Sequence, residues 1–212
     1  MTVRAQLRRH RRSIGGGAVG IIAAGLLGVG GGHLAGHHVT AGGSEGGGTV
    51  LGHCGVERWP VKTGTDTDAG KINLSPVPTT IAHMVALQAP LNPSNTSRVA
   101  PTELTNYTIN ATLTGFKVEG DNDYHLVISD GTRTMIVELP NSGCVGSRSP
   151  LRAQISQARA KFDSRYTAGA SFQTVSVAVT VTGVGFFDRL HGQTGVAPNG
   201  VELHPVLNID FP

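Results

Sequence analysis

The chain has 212 residues, with 17 Lys+Arg against 14 Asp+Glu and two cysteines, a length that suits one domain with a real core plus a shorter segment outside it. Five of the basic residues, Arg4, Arg8, Arg9, Arg11 and Arg12, fall at the start, so from residue 42 onward 12 Lys+Arg face 14 Asp+Glu, a net charge of −2. The basic balance belongs to the first segment, which excludes a broadly basic nucleic-acid-binding surface; no nucleic-acid partner is expected.

Residues 1–41 have the three parts of a signal peptide: the arginine-rich start, a soft apolar stretch over 14–30, and Val39-Thr40-Ala41 with small residues where cleavage occurs. An uncleaved anchor is the alternative, but a span needs about 20 strongly apolar residues, and glycine dilutes this stretch. Membrane contact is expected only through this segment, if it stays uncleaved. Arg11-Arg12-Ser13-Ile14 resembles a twin-arginine signal, although Gly15 stands where that signal prefers an apolar residue, and Sec export fits as well. The protein is therefore expected outside the cytoplasm, extracellular or in the cell envelope. Residues 42–53 read as a glycine-rich linker. An even cysteine count in an exported chain predicts a Cys54–Cys144 disulfide, worth up to about 4–5 kcal/mol in the chain-entropy model.

Residues 54–102 read as an irregular N-terminal extension to a domain over 54–212. Arg58-Trp59-Pro60-Val61-Lys62 suggests a short edge strand ending at the proline. Thr65 to Ala69 suggests a helix start, Ile81 and Val85 have helical spacing, and 88–101 is loop-like in its Pro, Asn and Ser content. From Glu103 the period becomes two. Tyr107, Ile109, Ala111 and Leu113 alternate with threonines and Asn110 and predict a strand that Phe116 and Val118 extend. Glu119 to Asp123 is a turn, Tyr124 to Ser129 a second strand, and Asp130-Gly131 a hairpin signal. Thr134 to Leu139 is a third strand. A helix follows Ser149, with Pro150 at its first position and a stripe of Leu151, Ile155, Ala158 and Phe162. Phe172 to Phe187 is a fourth strand, bending at Gly183 and Gly185. Val201 to Phe211 is a fifth, broken by Pro205 as at an edge or a bulge. The order β-β-β-α-β-β in a mainly β chain predicts a five-stranded OB-like barrel; a small β-sandwich with one helix is the alternative.

Cys54 to Thr63, Glu119 to Val127, and Gly183 to Asn199 with its Gly192-Gln193-Thr194-Gly195-Val196-Ala197-Pro198-Asn199 run resemble a family of exported bacterial proteins of uncharacterised function. The likeness covers about residues 54–211. It implies kinship and no particular activity.

In an OB-like barrel the first and last hairpin loops frame the binding face. That brings Glu119, Asp121, Asp123, Tyr124 and His125 toward Asp188, His191, Gln193, Glu202 and His204, an acidic and histidine-rich pole. Three kinds of chemistry fit it. One is binding of a small ligand, glycan or peptide, which makes the chain an exported ligand-binding or interaction module. Another is a divalent metal held by His125, His191, His204 and Asp123. Asp121-x-Asp123 resembles half of a calcium loop but lacks its glycine and distal glutamate, and zinc spacings such as C-x-x-C are absent. The last is metal-dependent hydrolysis at the same pole. No G-x-S-x-G or phosphate-cradling loop is present. Turn chemistry alone also accounts for Asp and Gly at 119–123. Trp59 is expected to pack against the barrel, and Arg159, off the helix stripe, to be solvated or locally paired.

Overall fold

A computed structural model describes residues 53–212. The predicted signal peptide and nearly all of the linker lie outside the described residues. The described chain is mainly β with an OB-like order. β2 (Thr105–Val118), β3 (Tyr124–Ser129) and β4 (Thr134–Leu139) form a meander, and α3 (Arg152–Asp163) follows. β5 (Gln173–Phe187) and β6 (Val201–Asp210) complete the set. β2 pairs antiparallel with β3 and with β5, β4 pairs parallel with β6, and β6 pairs antiparallel with β5. These five strands close into a ring.

The alternating apolar residues of each strand fill the ring: Ile109, Leu113, Leu126, Ile128, Val137, Leu139, Val181 and Leu203 are buried together. α3 caps it with Ala158 and Phe162, whose ring stands edge-on to Phe116 at 5.1 Å, while Ile155 is buried in a second cluster with Leu151, Val184 and Leu207. The helix begins at Arg152 after Leu151. Pro150 thus lies before the helix rather than at its first position.

Two expectations for the N-terminal part fail. Residues Arg58 to Lys62 are not an edge strand: α1 (Trp59–Thr63) is a short helix. Pro60 sits in its first turn, where a missing N–H leaves no bond unmade. Gly64, at φ 68°, ends it in the left-handed region that glycine adopts freely. The extension is also not wholly irregular. β1 (Asn73–Thr79) adds a sixth strand, parallel to β2, on the outside of the ring. It is exposed nearly throughout and carries Pro76 and Pro78, so it has neither the apolar alternation nor the donors that mark a strand in a sequence. The 65–69 segment leads into a single 3-10 turn at Ala69–Lys71, and α2 (Ile81–Met84) buries Ile81 and Met84.

Pro205 is at a bulge, not an edge. β6 lies between β4 and β5, and Gly183 opposes Val206 while Gly185 opposes Leu203. Backbones approach closely there: a Cβ on Gly183 would stand 2.8 Å from the Pro205 carbonyl oxygen. The Cys54–Cys144 disulfide is formed, with Cα atoms 5.6 Å apart. The buried ion pair Arg58–Glu103 also ties the N-terminal segment to the start of the ring, and a second buried pair, Arg98–Asp66, holds that segment together.

Candidate functional site

β3, β4 and β6 bury Leu126, Val137 and Leu203 on one face, which leaves His125, Glu138, Glu202 and His204 for the other. His125 opposes Glu138 across the β3–β4 ladder, and Glu202 pairs with Ile136 of β4. This polar face is covered rather than solvated: His125, Glu202 and His204 are all buried.

Two loops provide the cover. The 119–123 turn is closed by Glu119 N–H donating to the Asp123 carbonyl at 2.9 Å and by Asp123 N–H donating to Asp121 Oδ1 at 3.2 Å. Arg159 clamps it from α3, donating to the Asn122 carbonyl at 2.8 Å and the Leu139 carbonyl at 2.9 Å with its guanidinium 3.6 Å from the Tyr124 ring centre. In the 188–200 loop Gln193 Nε2 donates to Asp188 Oδ2 and to the Arg189 carbonyl, each at 3.1 Å. The loop is held on the sheet by His125 Nε2, 2.9 Å from the Thr194 carbonyl oxygen. Segments about 70 residues apart thus meet, as the OB-like order required.

Between them lies a cleft of about 460 Å³. Glu57, Glu119, Asp121, Glu138 and Asp188 line it, together with Trp59, Lys62, His125, His191 and Gln193. The half-buried Trp59 faces this cleft instead of only packing on the ring. Tyr124 does not line it; its ring packs on Phe162 at 5.3 Å, on the helix side.

Glu138 organises the floor. Its Oε2 lies 3.0 Å from His204 Nδ1 and its Oε1 lies 3.3 Å from His125 Nδ1. Glu202 Oε1 adds a second partner to His204 Nδ1 at 3.3 Å. Asp123 accepts from Asn141 N–H at 2.7 Å through Oδ1. Its Oδ2 faces His204 Nε2 at 3.7 Å, and neither of these buried atoms has a hydrogen-bond partner. Lys62 Nζ stands 3.7 Å from Asp188 Oδ1.

Burial and crowding of charge shift these groups. Burial pushes the Asp123 carboxyl up to about 7, against the pull of His204. Burial and then the neighbouring Glu138 charge push Glu202 up to about 7. His204 is pulled down by burial, but hydrogen bonds to Glu138 and Glu202 outweigh it and hold the imidazole up at about 9. Burial would raise Glu138, yet hydrogen bonds from His125 and His204 hold it below the usual carboxylate range. Burial lowers Lys62 less than the charges of Glu202, Glu138, Asp188 and Asp123 raise it. His125 also ends above its ordinary value, through Glu138 and Thr194 working against burial.

The four expected metal ligands do not gather as one set. His191 is exposed at the rim, its Nε2 3.9 Å from Asp188 Oδ2, and both ring nitrogens of His125 have partners. The compact group is Asp123, Glu138 and His204, with one possible ligand atom from each within 4.8 Å of the others. Glu138 and Lys62 were missed by sequence reasoning. Glu138 had a signal, as a lone charge in the apolar run Thr134 to Leu139. Lys62 had none, because only the packing of α1 on the ring buries it.

No protein-family model and no curated protein matches the chain. Among solved structures it is similar to a protein described as an aspartyl-tRNA synthetase from Leishmania major Friedlin, at 14% identity and TM-score 0.39 over 66% of this chain and 21% of that one. It is also similar to the Entamoeba histolytica asparaginyl-tRNA synthetase, at 7% identity and TM-score 0.32 over 50% of this chain and 20% of that one. The chain thus spans about a fifth of the length of each.

Proposed function

We infer that the chain is an exported ligand-binding module whose ligand carries positive charge: an organic amine, a guanidinium, or a lysine- or arginine-bearing peptide. The observation that carries this reading is the cleft, lined by five carboxylates and Trp59 with Lys62 and three histidines as its basic groups. Arg189 at 2.9 Å from Glu57 and Lys117 at 3.0 Å from Glu119 pair with two of the carboxylates from outside the lining. A carboxylate-lined cleft with restricted solvent focuses its field on cations, and an indole face adds a cation–π contact. The same lining disfavours phosphate, in keeping with a partner other than nucleic acid. The leader and the disulfide support export, since such bridges persist in oxidising compartments.

The test is calorimetric titration with spermidine and trilysine, and with triglutamate as control. Binding should weaken with added salt and fall by about tenfold or more in Glu57→Gln/Asp121→Asn. Failure of both cations to bind, or unchanged binding in the double variant, removes the reading.

A second reading, a metal-dependent hydrolase, is favoured by the position of Asp123, Glu138 and His204 beneath the cleft. It requires Zn²⁺-dependent turnover of nitrophenyl esters that Glu138→Gln abolishes. No turnover with metal present eliminates it.

A further inference from the structure

Among the described residues five buried side-chain atoms have no hydrogen-bond partner, and two of them face each other beneath the cleft. Asp123 Oδ2 and His204 Nε2 face each other at 3.7 Å, on side chains that are 1% and 0% exposed. That separation exceeds a hydrogen bond. Buried polar atoms are nearly always satisfied, and an exception points to an unseen occupant. The separation also suits two ligands of one ion, each about 2.0–2.2 Å from it.

We propose that Asp123, Glu138 and His204 form a binding site for a divalent transition metal, entered from the cleft. The rest of the pocket is built as such sites are. A metal-bound histidine is normally oriented by a carboxylate on its other ring nitrogen. His204 Nδ1 has Glu138 Oε2 at 3.0 Å and Glu202 Oε1 at 3.3 Å in that role, which leaves Nε2 aimed at Asp123. Asp123 Oδ1 is held by Asn141 N–H, which leaves Oδ2 free. Glu138, with a possible ligand atom within 4.8 Å of the other two residues, lines the cleft through which an ion arrives. It becomes the third donor by turning one oxygen away from its histidine partner, His204 Nδ1 at 3.0 Å or His125 Nδ1 at 3.3 Å. One imidazole and two carboxylates select a first-row metal such as zinc over calcium, which takes six to eight oxygens. The metal replaces the proton that Nε2 otherwise carries, so loading releases protons. The site does not depend on the organic-cation reading, because spermidine binding is tested at Glu57 and Asp121.

The experiment uses the purified full chain, stripped with chelator and titrated with Zn²⁺, with Ca²⁺ as control. Bound metal is counted by elemental analysis. One Zn²⁺ per chain and no Ca²⁺ is the expected result. Asp123→Asn and His204→Gln should each weaken zinc binding at least about 100-fold, and Glu202→Gln, which touches only the orienting bond, about 10–100-fold. His191→Ala, at the rim, should leave it unchanged. In case the buried variants do not fold, nitrogen-15 NMR of the unaltered protein reads the same point: Zn²⁺ should shift Nε2 of one buried histidine and not Nδ1. Absence of stoichiometric zinc, full affinity in folded His204→Gln, loss in His191→Ala, or no buried Nε2 shift overturns the proposal. A doubly protonated His204 sitting between carboxylates is then the occupant of that space.

Discussion

Arg58 and Glu103 form a two-pronged ion pair, 2.6 Å between Nη1 and Oε1 and 2.8 Å between Nη2 and Oε2, with both side chains fully buried. The pair holds three pieces of chain. Arg58 also donates to the Phe187 and Ser97 carbonyls, and Glu103 accepts from the Phe187 and Val99 N–H groups. It therefore fixes the start of α1, and with it Trp59 and Lys62, at the end of β5 where the 188–200 loop begins.

Breaking this pair from one side leaves a buried carboxylate short of charge. Arg58→Ala should lower unfolding free energy by about 3–5 kcal/mol, read by denaturant titration. A loss below about 1 kcal/mol would show that the pair holds little.

The Cys54–Cys144 bridge closes a 90-residue separation and ties down the strand of chain, Cys54 to Glu57, that lines the cleft. Cys54→Ser/Cys144→Ser should cost about 2–5 kcal/mol and also weaken spermidine binding. Lost stability with unchanged binding would mean that the cleft wall stands without the bridge.

Stability should fall as pH rises, measured in chelator so that no metal competes. Asp123 and Glu202 keep their protons in the folded chain up to about 7, whereas the unfolded groups lose them near 4. The folded state binds more protons across that interval, so these two oppose folding increasingly from about pH 4 to 7. His204 is raised from 6.5 to about 9. Its contribution is complete below 6.5 and is lost as pH passes 9. The melting temperature should therefore be higher at mildly acidic pH than at pH 9. The depressed Glu138 works in the other sense, and its contribution disappears only in strong acid. A flat or rising profile from mildly acidic pH to pH 9 would contradict these protonation states.

Arg159 was expected to be solvated or locally paired. It instead joins α3 to the Asn122 and Leu139 carbonyls and stacks on Tyr124. Arg159→Ala should cost about 1–3 kcal/mol and increase amide exchange at 119–123 ahead of the rest of the ring. Arg159→Lys should recover little, because one ammonium cannot span both carbonyls and lie flat on a ring.

The sequence by itself determined the strands of the ring. β3 and β4 have the bounds that alternation predicts, and the α3 stripe is buried as its spacing requires, because periodicity records which face of an element is apolar. Strand order then brought the 119–125 and 188–204 segments together. Only the tertiary structure decided the roles inside that meeting point. An exposed proline-bearing strand such as β1 leaves no apolar period, and a helix as short as α1 is settled by its caps and by the Arg58–Glu103 anchor. Glu138 could be seen as an oddity in an apolar strand, but its placement between His125 and His204 depends on the β3–β4–β6 register. Charge states depend on burial and on neighbours distant in sequence, and those exist only once the ring has closed and the loops have covered its polar face.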